Sequence, residues 1–480
     1  MPTRHTPDTA THGRTLVVVG HGSHLNADSA RAVRAHAHHL RESGQFQEVL
    51  EAYWKEEPSL RQVLQTARYR EVTVLPAFIS EGYFTEQVIP RELGLSHQGR
   101  VPQGGITGEV NGKTVHYTRP YGIHPAMTDI LLARAREVCP GWEAQKTALV
   151  VLGHGTRRNA RSREAIENAA KTLAATGLFA KAVALYLDES PYATAWPEFT
   201  GELDVILVPF FASEGWHTQE TIPEELGLHG AVSQLDERRV CYAHPVGTHP
   251  DVKGVLLELV HEAGGTVSGD VDEVHALAWN ALLNAASAGL TVGELQIEPL
   301  PHGKFALRNV VDAGEDDLDT VPLDTVPLDT VPLDTVPLDE LNAVTGRDDV
   351  GKHRPIRTQK GLPRGWRAEV SGVDLRHALH AIYPTVTEEA HAFEQGNLPI
   401  TPWPDTAARQ SGMYRRVRHA TPEQLQSAQE MTCSGCLRSP LWAGETLSGT
   451  FLSGRSCGLP CAEACTLLVS EVAHLLEESP

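Results

Sequence analysis

Residues 15–26 read TLVVVGHGSHLN, and residues 148–159 read ALVVLGHGTRRN. In both, a short apolar run leads into Gly-His-Gly. The second phrase follows the first by 133 residues, and the same offset carries Pro58 to Pro191, Pro76 to Pro209 and Pro90 to Pro223. One offset that holds over about 70 residues without a net gap marks an internal duplication. Further on, VHYTRPYGIHP at 115–125 matches VCYAHPVGTHP at 240–250 with an offset of 125. The first copy therefore carries about eight extra residues, expected in VPQGGITGEVNG. The chain opens with two homologous units, 14–140 and 147–265.

Each unit alternates strand-like and helix-like segments. TLVVV, FQEVLEAYW and EVTVLPAF are apolar runs suited to buried parallel strands, and SARAVRAHAHHLRES has helical spacing of its apolar residues. The second unit repeats this order. Alternating β and α segments predict an α/β fold: two tandem doubly wound parallel-sheet units of about four strands each. Past residue 265 the pattern changes. A helix followed by two strands predicts a small α+β element over 266–312. A low-complexity linker, LDTVP repeated, covers 313–345; its prolines forbid a stable helix or central strand. A cysteine-rich domain is expected over 346–480, opening on the basic stretch KHRPIRTQKGLPRGWR.

Composition narrows the function class. The 480 residues carry a formal net charge of −20, which argues against nucleic acid as the main partner. No run approaches the roughly 20 apolar residues of a membrane span, and the N-terminus lacks an apolar signal core. A cytoplasmic protein is the expectation. The sequence leaves the oligomeric state open, and the two units can form one pseudo-dimer.

His21 and His154 each stand between glycines at the carboxyl end of the first strand, where open α/β sheets bind ligands. One such histidine can equally be a turn residue bonded to backbone. His217 changes the balance. SEGYFTEQVIPRELG (80–94) and SEGWHTQETIPEELG (213–227) are copies, but Phe84 of the first is His217 of the second. His217 follows the third strand, a usual neighbour of the first, so His154 and His217 can converge. Two imidazoles and a carboxylate suit a divalent transition metal. Glu189 and Glu214 are the carboxylate candidates, matched by Glu56 and Glu81 in the first unit.

These motifs, GHGSHLN and GHGTRRN, VLPAFISEG and LVPFFASEGWH, and the two GxHP phrases, resemble the CbiX-type sirohydrochlorin chelatases in their long, two-unit form. The resemblance covers about residues 14–265. It implies a cleft that holds sirohydrochlorin between the units, and insertion of Co(II), or of Fe(II) or Ni(II), without ATP. The family's histidine pair falls on His154 and His217; in the first unit only His21 matches. One metal site built mainly by the second unit is therefore expected, with Phe84 packed against the macrocycle or the cleft wall. Neutral imidazole is both a metal ligand and a base near neutrality. The substrate's carboxylates call for cations, for which Arg157, Arg158 and Arg119 are candidates.

Five of the seven cysteines, 433, 436, 457, 461 and 465, fall in Cx2C and Cx3Cx3C. In a reducing compartment this spacing points to metal rather than disulfides. A 4Fe–4S cluster on Cys436, Cys457, Cys461 and Cys465, with Cys433 as the substitute, is favoured over zinc and over structural thiols. Cys139 and Cys241 read as buried small residues. An iron–sulfur redox protein acting on a tetrapyrrole and a metal carrier are the alternative functions.

Overall fold

A computed structural model describes residues 12–23, 27–97, 99–155, 161–201, 203–264, 273–292, 294–314, 334–338, 340–347, 362–383, 401–433 and 463–478. The chain divides into two compact units. The first holds Met1–His21, Asp28–Glu51 and Tyr69–Asp270; the second holds Gly22–Ala27, Ala52–Arg68 and Val271–Pro480.

The duplicated halves are two sheets of one topology. The first half gives β1 (His12–Gly20), α1 (Arg31–Glu42), β2 (Phe46–Tyr53), α2 (Val63–Thr66), β3 (Glu71–Pro76), α3 (Ile89–Glu92), β4 (Ile106–Val110), β5 (Lys113–Tyr117) and α4 (Met127–Val138). The second gives β6 (Thr147–Gly153), α5 (Arg161–Ala175), β7 (Lys181–Tyr186), α6 (Trp196–Thr200), β8 (Asp204–Pro209), α7 (Ile222–Leu226), β9 (Val232–Leu235), β10 (Arg238–Tyr242) and α8 (Val252–Glu262). The strand orders are β2-β1-β3-β5-β4 and β7-β6-β8-β10-β9. The register is duplicated too: Val19 faces Pro76 as Leu152 faces Pro209. Each sheet has five strands rather than the expected four. The fifth is a short edge strand, antiparallel to its neighbour in each sheet. The eight extra residues lie before it, between α3 and β4. The apolar runs are buried as expected of central parallel strands: Leu16–Val19 and Leu149–Leu152 have no exposed surface. Each such side chain contributes about 1.5–3 kcal/mol.

The two sheets dock through the GxHP phrases. His124 Nε2 lies 3.2 Å from Glu258 of α8, and His249 Nε2 lies 3.2 Å from Glu137 of α4. The bond therefore runs both ways, from each half's histidine to the other half's closing helix. His36 of α1 donates from Nε2 to the Gly247 carbonyl at 2.8 Å, and Arg134 donates to Pro245 O at 3.1 Å and to Thr248 Oγ1 at 2.7 Å. Gly122 and Gly247 tolerate no side chain: an added Cβ would stand 1.9 Å from Ile79 O and 2.2 Å from Ala212 O respectively.

In the second unit, α9 (Glu273–Ser287) precedes β11 (Leu290–Val292), β12 (Leu295–Leu300) and β13 (Lys304–Asn309). The expected end of this element at residue 312 is corrected. β14 (Asp334–Thr335), α10 (Leu341–Thr345), β15 (Trp366–Ser371) and α11 (Leu375–Ile382) follow, and the sheet order is β11-β12-β13-β15-β14. β15 pairs antiparallel with β13 from Lys304↔Ser371 to Arg308↔Arg367. The last LDTVP copy supplies β14, an edge strand compatible with its proline, and Val336 packs into the core with Trp366 and Leu307. Most of the repeat and most of the basic stretch lie outside the described residues.

A second core joins Trp403, Val417, Leu425, Leu468, Val469 and Val472. The segment 52–68 is bonded to this region. Arg61, stacked on Trp54, donates to Thr466 Oγ1 at 3.2 Å and to Gln410 Oε1 at 3.1 Å. Gln62 donates to the Glu463 carbonyl at 2.9 Å, and Thr466 donates to the Trp54 carbonyl at 3.0 Å.

Candidate metal centre

His154 follows β6, and His217 follows β8, so both stand at carboxyl ends of adjacent parallel strands. Their rings meet edge to face with centroids 4.9 Å apart. The ladder between β6 and β7 runs past the strands: Leu187 N donates to Gly153 O at 3.0 Å and Asp188 N to His154 O at 2.9 Å. This lays the Asp188 carboxylate beside His154, with Oδ2 3.2 Å from Nδ1. Burial, and then the neighbouring His154, lower the His217 pKa, while Asp188 and Glu225 pull it the other way. The net effect keeps His217 unprotonated to a lower pH than an ordinary histidine, the state a metal ligand or a base requires.

The loop frame around His217 explains why the duplicated phrase was kept. His217–Thr221 is a single π turn, a feature common at functional sites. Thr218 Oγ1 accepts from Gly215 N at 3.0 Å, and Tyr242 OH donates to Thr218 O at 2.8 Å. In the first half Thr85 Oγ1 accepts from Gly82 N at 3.1 Å, and Tyr117 OH donates to Thr85 O at 2.7 Å, around the π turn Phe84–Val88. The frame is common; the residue it presents differs. His21 faces Phe84 at 5.7 Å between centroids, and Phe84 in turn meets Phe78 at 5.2 Å.

Of the carboxylates named from sequence, Glu189 lies under the loop, 7% exposed. A Cβ on Gly155, whose φ is +79°, would stand 2.7 Å from Glu189 Cγ. Gly155 is therefore required both by its backbone conformation and by the carboxylate packed beneath it. Arg163 Nη1 approaches Glu189 Oε2 at 3.7 Å. Glu214 is held by His244 Nδ1 at 2.8 Å and by Gln219 at 3.2 Å. The carboxylate set against the histidine pair is thus Asp188, one residue before Glu189. Among the described residues, no three His, Cys, Asp or Glu side chains are placed to hold a metal ion together. Of the two further ligands expected from sequence, Glu214 is bonded to His244, and His21 lies against Phe84 in a tilted contact.

Among the expected cations, Arg157 and Arg158 lie outside the described residues. Arg119 is taken by Glu262 at 2.9 Å. Two guanidiniums that the sequence reading overlooked stand at the carboxyl ends. Arg161, the first residue of α5, bonds Glu86 of the first π turn at 2.6 Å. Arg100, carried by the eight-residue insertion, bonds the buried Glu81 at 2.7 Å and keeps 58% of its side chain exposed. Burial raises the Glu86 pKa, with Glu81 adding to the rise, against the pull of Arg161 and Arg100. The Arg161–Glu86 bridge sets the carboxyl end of one sheet beside that of the other.

In the second unit, Cys433 ends the helix Pro422–Cys433. Cys465 is half-buried just before the helix Thr466–Glu478. Cys436, Cys457 and Cys461 lie outside the described residues. Cys139 and Cys241 are buried free thiols; burial, then the bond to Cys139, push the Cys241 thiol up to about 12. Among the described residues no helix is long and apolar enough to cross a membrane.

The CbiX family pattern matches residues 15–138 and again 148–263, once in each half. A DR2241 stabilising domain matches 275–394, and a 4Fe-4S iron-sulfur cluster binding domain matches 395–474. A probable sirohydrochlorin cobaltochelatase of Halobacterium salinarum is 42% identical over 278 residues, covering 54% of this chain and 95% of that one. The crystal structure of DR2241 from Deinococcus radiodurans is 41% identical with a TM-score of 0.81, and covers 97% of this chain and 99% of that one. It is described as a multi-domain protein with structural similarity to chelatases and two additional novel domains.

Proposed function

We propose a function from a fixed premise: the chain belongs to the CbiX family of chelatases. It inserts a divalent metal into sirohydrochlorin or a related tetrapyrrole, in the cytoplasm, without ATP. Cobalt is the first candidate, after the relative from Halobacterium salinarum, and iron and nickel suit the same ligands. The observation that carries this reading is the His154–His217 pair, 4.9 Å apart, with Asp188 3.2 Å from His154.

The two imidazoles take the incoming ion and replace part of its water. Asp188 orients His154 and, by accepting from Nδ1–H, directs its other nitrogen outward. As the ion passes to the macrocycle two pyrrole N–H protons are lost; His217, kept neutral by burial, accepts one on the lone pair the ion has left, and His154 in the same way takes the other. Glu189 holds the Gly155 turn from below rather than meeting the substrate. Phe84 walls the first-half side of the cleft. Arg100 and Arg161, with Arg157 and Arg158, supply cationic donors to the substrate's carboxylates.

The 4Fe-4S binding domain takes its thiolates from Cys436, Cys457, Cys461 and Cys465, with Cys433 as the substitute. The position of Cys465 fits a thiolate ligand, because a helix N-terminus favours the anion. When bound, the cluster supplies a one-electron redox centre and a cross-link between segments.

Anaerobic protein mixed with sirohydrochlorin and Co2+, Fe2+ or Ni2+ tests the reading by absorbance. Turnover that is lost in His154→Ala and His217→Ala is expected. Metal binding without turnover would instead make the protein a carrier.

A further inference from the structure

Three large aromatic side chains are exposed among the described residues: Trp216 at 63%, Tyr83 at 49% and Tyr192 at 42%. A single exposed aromatic needs no explanation. Their placement does. All three follow carboxyl ends of parallel strands: Tyr83 follows β3, Trp216 follows β8 and Tyr192 follows β7. Each is tied through a few bonds of backbone to a member of the site. Trp216 precedes His217, Tyr83 precedes Phe84, and Tyr192 lies four residues past Asp188. Trp216 and Tyr83 are moreover the same position of the two copies, the residue that opens each π turn. The duplication let histidine and phenylalanine diverge at the next position, yet kept an exposed aromatic at this one.

We propose that Trp216, Tyr83 and Tyr192 form an aromatic collar that receives the face of the tetrapyrrole, with Trp216 its main contact; this rests on the chelatase reading. The occupant follows from the chemistry. A macrocycle of linked pyrroles is flat and apolar on its faces and carboxylated at its rim. The carboxyl ends of the strands carry both these aromatic rings and the guanidiniums of Arg100 and Arg161. Rigid aromatic rings give a flat ligand large contact area at low entropic cost. Trp216 is more exposed than His217's own frame requires, since the frame bonds run through Gly215 and Thr218.

The test is metal-free titration of the full-length protein with sirohydrochlorin, read by tryptophan fluorescence and by the pigment's absorbance, together with steady-state KM and kcat. Trp216→Ala should weaken pigment binding about tenfold, with most of the kinetic effect on KM, and Trp216→Phe should restore it to within about threefold. Tyr83→Ala should give a smaller loss in the same direction. Wild-type binding in Trp216→Ala overturns the collar and leaves the chelatase reading intact. A partner protein as occupant gives that same result. Wild-type protein that neither binds nor metallates sirohydrochlorin overturns both.

Discussion

The two halves of the duplication share strand order, register and loop frame, yet present different chemistry at the same place. The second half offers His154, His217 and Asp188; the first offers His21, Phe84 and, at the register of Asp188, Lys55. A phenyl ring cannot ligate a metal. The difference shows that fold and chemistry are separable within one chain: Thr85 and Thr218 hold the same turn whether or not the next ring can bind a metal.

The comparison breaks most sharply if one half is converted into the other. His217→Phe should reduce metal insertion by about 100-fold or more, measured by absorbance at saturating metal, because it removes the group proposed as both ligand and base. Phe84→His placed in that background should not restore turnover, since the first copy carries lysine, not aspartate, at the sequence position of Asp188. Restored turnover would show that the halves are chemically equivalent. Asp188→Asn should cost about 10- to 100-fold in metal affinity or rate, the usual effect of losing a partner that orients a ligating histidine; an equal loss in Glu189→Gln with intact folding would move that role back to Glu189.

Smaller effects concern protons. His36 is buried and its pKa is lowered to about 4, by burial first and then by His39. The unfolded chain, with an ordinary value near 6.5, binds that proton more readily. The contribution of His36 is therefore complete above about pH 6.5 and declines as pH falls toward 4, by about 3 kcal/mol in total. Denaturant melts at stepped pH should show this slope, and His36→Gln should flatten it. The smallest expected change is a shift in titration: in His154→Ala, His217 should titrate at higher pH than in the wild type, because one of its lowering influences is gone while burial stays. NMR of the His217 ring protons reads this directly.

The paired phrases around GHG made the duplicated α/β fold readable, since an offset of identical turns leaves little freedom for the strands between them. The fifth strand was hidden because GITGEV reads as a Gly-rich insertion, while only pairing with β5 makes Ile106–Val110 a strand. The histidine pair was readable for the same reason as the fold. Its carboxylate was not: Asp188 and Glu189 are adjacent, and only the ladder bonds past β7 decide which one rises beside His154 and which one packs under Gly155. Arg100 and Arg161 escaped notice because each is defined by a buried acid from a distant segment. The sheet that resumes at Trp366 after the LDTVP repeat is likewise a non-local pairing that no local pattern announces.

The histidines of the two GxHP phrases reach across to each other's closing helices, His124 to Glu258 and His249 to Glu137. Reciprocal contacts of this kind are what a two-fold axis imposes on a dimer of identical chains. In such a dimer every substitution occurs twice, so a second histidine lost from one site is lost from both. Fusion into one chain removes that coupling. One half can keep a pair of histidines while the other carries a phenyl ring in place of one of them, and the junction that binds the halves need not change at all.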